Sequence, residues 1–249
     1  MKIHFLGTNG WFDNETGETL CVLIDCKEGY LVLDAGNGIR KLDSYIKEEK
    51  PIYIFLSHFH IDHISGLHIL PKFSFSQGIT IFGQPGTKDV LSTFLASPFT
   101  ASLDLLNKLY PVKVAELKEG GNNIGGLRVE TAYLRHADPS FGYAFHIEGK
   151  KISFCTDTGQ CENLVRLSKD ADMLMTECSW KETNKNSKWP HMGPEEGAEA
   201  ARKAGAKKLV LLHFDASSFG PEDKKKAEEK ARAVFGNTTA AHDGLEMSI

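Results

Sequence analysis

A chain of 249 residues, 41% hydrophobic and 25% charged, is long enough to enclose a large core, and its composition excludes general disorder. The balance of 29 basic against 33 acidic residues, a net charge of -4, argues against a broad basic surface for gripping nucleic acid. No run approaches the roughly 18 apolar residues of a membrane-spanning helix, the start MKIHFLG lacks the apolar segment of a signal peptide, and five cysteines without a C-x-x-C pair read as a reduced, cytoplasmic chain.

Strand signals dominate the first third: residues 2–6, 20–25, 30–34 and 52–56 are short apolar or alternating runs bounded by Gly, Asn, Asp or Pro. Lys27-Glu28-Gly29 marks a hairpin-like turn between the second and the third. Ile39, Leu42 and Ile46 share one helical face over 39–49, a helix that Pro51 brings to an end. Beyond residue 70 a stretch rich in Phe, Ser and Pro carries a strand at 79–82 and a helix near 88–96. Its apolar part, 73–106, reads as a face for a homodimer or as a lid over a pocket. Strands return at 112–117, 127–133, 141–147 and 151–155, joined by glycine-rich turns at 120–121, 125–126 and 149. The last third alternates: helix 160–168, strand 172–176, helix 194–204, strand 208–212, helix 221–235 and a final strand around 239–247. Pro221 and the acids after it suit a helix N-terminus, and the lysines that follow read as a solvated face. With no internal repeat and no low-complexity linker, residues 1–249 read as one domain. Its class is α/β, two packed sheets covered by helices in an αββα sandwich.

Strand 52–56 runs into Ser57-His58-Phe59-His60-Ile61-Asp62-His63, three histidines and an aspartate within six residues. Residues two apart on an extended segment face the same way, so His58 and His60 can bind one cation together. Asp62 and His63 come as the chain turns into a helix at Ile64–Leu70, and can swing toward a second cation. Neutral imidazole and carboxylate suit Zn, Mn, Fe or Co and leave coordination positions open to water. Further donors stand at strand ends: His136 after LRVETAYLR, Asp157 after KISFCT and His213 after KLVLL. A rigid strand holds such a residue in place while the following loop lets it point inward.

This set resembles the signature of the metallo-β-lactamase superfamily: H-x-H-x-D-H, then His, Asp and His at successive strand ends of an αββα sandwich of two mixed sheets. The match runs from Gly7-Thr8-Asn9-Gly10 through Asp34 to Asp243-Gly244. It implies two divalent ions, zinc first, with manganese or iron as alternatives. His58, His60 and His136 would hold one, Asp62, His63 and His213 the other, with Asp157 bridging. Within the superfamily the chain is most similar to ribonuclease Z-like phosphodiesterases and to the phosphodiesterases that cleave a phosphoribosyl cyclic phosphate. Glu177 in LMTECS and His191 in HMGPEEGAEA match residues that those members add. The resemblance thus implies His191 as a general acid oriented by Glu177, and counts Asp62 with them among the catalytic residues. Asp34 matches a position that orients neighbouring site loops.

Two departures from the family shape the substrate expectation. Members that process transfer RNA commonly carry a long arm between the third-motif His and the bridging Asp, whereas about twenty residues separate His136 from Asp157 here. The phosphoribosyl enzyme has early cysteines for a structural zinc, and Trp11–Thr19 contains none. Two divalent cations, two aspartates and a bridging hydroxide leave about +1 at the site. Such a site attracts an anion and stabilises a phosphorane-like transition state. The expected activity is therefore hydrolysis of a small or cyclic phosphodiester, with nucleic acid not favoured as a partner. An arylsulfatase, or a glyoxalase II-like thioesterase or lactonase, is the alternative, and a tRNA 3′-processing endoribonuclease is less favoured. His4, His68, His146 and His242 read as packed or half-exposed residues, Cys155 as core, and Arg135 and Lys188 as surface charges.

Overall fold

In the computed structural model, which describes residues 1–183 and 188–249, side chains along most strands alternate between two apolar interfaces. The strands are β1 (Lys2–Gly7), β2 (Asn9–Gly10), β3 (Cys21–Cys26), β4 (Gly29–Leu33), β5 (Ile52–Phe55), β6 (Ile79–Gly83), β7 (Val112–Glu116) and β8 (Gly120–Ile124). They continue as β9 (Leu127–Leu134), β10 (Ser140–Ile147), β11 (Lys150–Cys155), β12 (Met173–Glu177), β13 (Leu209–Leu212), β14 (Phe214–Asp215), β15 (Thr238–Ala240) and β16 (Glu246–Ser248). The helices are α1 (Ile61–Ile64), α2 (Thr87–Phe94), α3 (Leu103–Leu109), α4 (Glu162–Leu167), α5 (Pro194–Ala204) and α6 (Pro221–Val234).

Two seven-stranded mixed sheets result, ordered β16-β1-β3-β4-β5-β6-β7 and β15-β13-β12-β11-β10-β9-β8, and β2 and β14 form a separate parallel pair. Val22, Ile24, Leu31 and Phe55 of the first sheet meet Phe141, Tyr143, Phe145 and Phe154 of the second. The Phe55 ring lies 4.9 Å from Phe145 and 5.6 Å from Tyr143, centroid to centroid. Burying a side chain of this size contributes some 2–3 kcal/mol. The alternate residues Cys21, Leu23, Val32 and Ile54 face outward onto Ile39, Leu42, Leu67 and Leu91. On the far side Ala144, Cys155, Leu174 and Leu211 face Leu164, Leu167, Ala198 and Ala227. Three apolar interfaces separate four layers, the αββα arrangement expected from the sequence.

Where the elements differ from expectation, a specific contact is responsible. The helix expected over 39–49 is a 3-10 helix at Asn37–Ser44, because the Tyr30 hydroxyl accepts the N–H groups of Lys47 and Glu48 and takes them out of any longer helix. Ile64–Leu70 is likewise the end of the short α1 followed by 3-10 turns over Ser65–Lys72. The expected strand 239–247 splits into β15 and β16, one in each sheet. Between them Asp243 accepts from Thr8 Oγ1, Glu18 N and Lys41 Nζ, which fixes the crossing. Strand β8, GGNNI, is an edge strand read in sequence as glycine turns, since Gly and Asn are poor strand formers. In the 73–106 segment Phe73, Phe75, Leu91, Leu95 and Leu106 are buried core, and Ser102 caps α3 by accepting from Leu105 N. None of the described residues lining the cavity over the metal-ligand candidates comes from this segment, so it is no lid. No helix among the described residues is long and apolar enough to cross a membrane.

Topology gathers the chemistry at one end. Strands β11, β12 and β13 are parallel, and β9 shares their direction because two antiparallel steps, β9 to β10 and β10 to β11, separate it from β11. The carboxyl ends of all four therefore open on the same edge. The end of β5 in the other sheet joins them, as Phe141 N donates to Ser57 O at 2.8 Å.

Candidate metal centre

Each donor residue is aimed by what its strand does on leaving the sheet. Asp34, Asp157 and His213 all take left-handed backbone conformations, with φ of +55°, +52° and +54°. Asp and His tolerate this region better than most residues, and such turns swing a side chain sharply away from the strand direction. Gly10 passes so close to His213 that a Cβ there would collide with the imidazole ring.

The donors converge in two adjacent groups. His58, His60, His136 and Asp157 each offer a ligand atom, all within 4.8 Å of one another, and Asp62, His63 and His213 form a second such set. In the first, His136 Nε2 is 3.3 Å from His60 Nδ1, and Asp157 Oδ2 is 3.8 Å from His58 Nε2. In the second, His63 Nε2 and His213 Nε2 stand 3.1 Å apart, with Asp62 Oδ2 at 3.5 and 3.3 Å from them. Asp157 Oδ1 reaches this second set as well, 3.3 Å from His63 and 3.1 Å from His213. Its carboxylate thus faces both groups.

Supporting contacts hold the rings. Asp34 accepts from Ser57 N, Ser57 Oγ and His63 Nδ1 at 2.7 to 2.8 Å. Ser179 Oγ meets His213 Nδ1 at 2.9 Å, Asp138 meets His60 Nε2 at 3.0 Å, and Trp11 N donates to Asp62 Oδ2 at 2.7 Å. Sequence reasoning gave no role to Ser57, Asp138 or Ser179. Their one signal is position, next to or two residues beyond a candidate donor.

Electrostatics divides the imidazoles. Burial, then the neighbouring His63, holds His58 well below the usual histidine range. Burial also brings His136 down to about 4, with His191 and His60 adding to it against Asp157. For His63, burial is outweighed by the Asp157, Asp62 and Asp34 carboxylates, and it is raised. His213 is raised in the same way, chiefly by Asp157. Asp157 is held low by His213 and His63 against the cost of its burial.

These residues fit a pair of divalent cations. His58 Nε2 is buried with no hydrogen-bond partner, which is costly in a metal-free protein and natural for a ligand atom. The remaining donors are imidazoles and carboxylates, the set that Zn, Mn and Fe accept. Protons shared by His63 and His213 with the carboxylates are the ones that cation binding would displace.

Glu177 and His191 lie beside both groups. Glu177 is fully buried at the end of β12 and accepts from Thr158 N and Met192 N, and from His191 Nδ1 at 3.0 Å. His191 also shares a donor cluster with Asp157 and His213, and its ring lies parallel to that of His213 at 6.1 Å. Burial alone would lower His191, but the Glu177 carboxylate reverses this and raises it to about 9. The folded value exceeds the ordinary 6.5, so the stability this pair contributes is full below about pH 6.5 and is lost as pH rises through about 9. The unfolding free energy of metal-free protein, read from urea titrations, should fall across that window by on the order of 1–3 kcal/mol more than that of His191→Gln. Parallel curves for the two proteins would remove the ion pair from the account.

Of the other histidines, His4 is buried, His146 half-buried, and His68 and His242 exposed. Cys155 lies in the apolar layer between the second sheet and its helices.

Two mixed seven-stranded sheets in four layers, with His and Asp clusters suited to a dinuclear metal site at the strand ends, define the metallo-β-lactamase fold. The family described as "Beta-lactamase superfamily domain" matches residues 22–214, and the chain belongs to this superfamily. Over 100% of its length and 99% of the relative's, it is 27% identical to ribonuclease Z of Bacillus licheniformis. Its fold matches the metallo-beta-lactamase fold protein YhfI of Bacillus subtilis with a TM-score of 0.80 at 21% identity, covering 99% and 98% of the two chains. It also matches a diphosphatase of the PhnP family with a TM-score of 0.75 at 16% identity, over 100% and 97%.

Proposed function

We propose that this chain is a dinuclear metal-dependent phosphodiesterase acting on small or cyclic phosphodiesters. In this reading His58, His60 and His136 would hold one ion and Asp62, His63 and His213 the other, with the Asp157 carboxylate available to both; zinc is the first choice of metal. The observation that carries the reading is the Glu177–His191 pair set beside both clusters. When bound, the ions supply Lewis-acid polarisation and a nucleophile drawn from water at neutral pH.

The protein's own groups do the rest. Glu177 fixes the His191 Nδ1 proton, which leaves Nε2 to carry a second proton, and the strong carboxylate field keeps the ring charged. A charged imidazole can hand that proton to the departing oxygen. An alkoxide leaving group needs it, whereas a thiolate or a p-nitrophenolate leaves well without it, so a thioesterase has less use for the pair. Asp34, Ser179 and Asp138 hold His63, His213 and His60 in fixed orientations, as the outer partners of metal ligands do.

The full-length likeness to ribonuclease Z favours a second reading, cleavage of precursor RNA. Three features weigh against efficient tRNA maturation. The interval between His136 and Asp157 is taken up by β10 and β11, a hairpin with no arm. The alignment to that relative spans 311 positions against 249 residues, so about sixty positions of the longer protein face gaps. No Lys or Arg is among the described residues lining the cavity, and a polyanion is gripped by several such groups. Precursor tRNA should therefore be cut more slowly than a small diester; equal rates would reverse the order of the two readings. Metal-loaded protein tested on cyclic and linear phosphodiesters, an aryl sulfate, a thioester and a lactone decides the class. Faster turnover of the sulfate or the thioester than of every diester would overturn the phosphodiesterase reading.

A further inference from the structure

All three tryptophans of the chain, Trp11, Trp180 and Trp189, line one cavity of about 520 Å³ above the metal-ligand candidates. They come from two loops, Trp11 from the one after β2 and Trp180 and Trp189 from the one between β12 and α5, and are 67%, 36% and 48% exposed. Ile61, also exposed, adds to the same wall. An indole is among the largest apolar surfaces a chain can bury, and clustered exposed apolar groups around a pocket mark a ligand site.

Trp11 carries a backbone cost as well. Its φ of +72° lies in the left-handed region, where a bulky residue is an outlier. That turn delivers its N–H to Asp62 while the indole stays in the open, 5.1 Å from the Phe12 ring. The Trp189 ring lies 5.9 Å from His60 and 6.2 Å from both His136 and His191, so aromatic surface extends up to the donor cluster. With no Lys or Arg among the described lining residues, the walls offer ring faces and the Asp215 carboxylate in place of positive charge. Such walls hold flat rings by stacking.

We infer that the site takes a nucleoside-bearing phosphodiester of mono- or dinucleotide size, with its base stacked on the tryptophan rim and its phosphate over the donor cluster. The placement of the phosphate rests on the phosphodiesterase reading; the placement of the base rests on the indoles alone.

Because every indole of the chain lines this cavity, intrinsic fluorescence reports on it directly. The probes for metal-loaded protein are AMP and ribose 5-phosphate, which keeps the sugar and phosphate but has no base. AMP should quench the emission and bind roughly 5- to 150-fold more tightly, the range of one stacked base. Trp180→Ala and Trp189→Ala should each remove much of that advantage, and Trp180→Phe, which keeps a ring, should restore most of it. Phe99→Ala removes an exposed aromatic that does not line the cavity and should leave the advantage as it was. Thymidine 5′-(p-nitrophenyl phosphate) and methyl p-nitrophenyl phosphate share a leaving group, and the first should have the larger kcat/KM, chiefly through KM. Equal affinities for AMP and ribose 5-phosphate, with equal kcat/KM for the two esters, would overturn the stacking and leave the phosphodiesterase reading intact. No hydrolysis of either ester, with the preference for AMP retained, would overturn the phosphodiesterase reading and leave the stacking.

Discussion

Native protein should bind two divalent ions per chain and Asp157→Ala protein at most one, and the variant should lose the proposed phosphodiester hydrolysis by more than about 10³-fold. The reason is position. Asp157 turns one carboxylate oxygen to His63 and His213 and the other toward His58, so it is the acid that both donor groups share. Its removal withdraws negative charge from between two cations, and the loss of metal-centred transition-state stabilisation is worth several kcal/mol. Elemental analysis after metal loading and gel filtration, run beside activity, reads both effects. His68→Ala is the control: His68 is exposed, bonds only to the Ser65 carbonyl among the contacts seen, and should keep both ions and full activity. Two ions and near-native rates in Asp157→Ala would sink the bridging assignment.

His191→Ala should keep both ions and lose about 10²- to 10⁴-fold in rate on alkyl or ribose diesters, the usual contribution of a positioned acid. On bis(p-nitrophenyl) phosphate the loss should be far smaller, because p-nitrophenolate departs without a proton. His191 is suited to the part by its buried carboxylate partner, Glu177, which raises it to about 9 against the cost of burial. Bound cations would oppose that shift, so the loaded enzyme should show the alkaline limb of its kcat profile below pH 9, and His191→Ala should lack that limb. Equal losses on the two kinds of ester with metals intact would make His191 a phosphate-binding residue. Loss of metal and stability together would make it a structural one.

Period and composition determined the layered α/β architecture, since runs such as LCVLID and KLVLL carry their strand tendency in neighbouring residues. The same holds for His58, His60, Asp62 and His63, which share one short window and needed only local geometry to be recognised. His136, Asp157 and His213 were legible one step less directly, as polar residues leaving apolar strands. Glu177 and His191 became a pair only through the family likeness, since 14 positions separate them in the chain and one hydrogen bond joins them in space. Only the tertiary structure decided the rest. The left-handed turns at Asp34, Asp157 and His213, the pairing of Asp138 with His60 and of Ser179 with His213, and the close passage of Gly10 depend on which strand ends meet. The gathering of Trp11, Trp180 and Trp189 around one cavity has the same origin. Residues from separate loops become neighbours only when two sheets align their carboxyl ends at a common edge, and that alignment is set by long-range strand pairing, which local pattern does not encode.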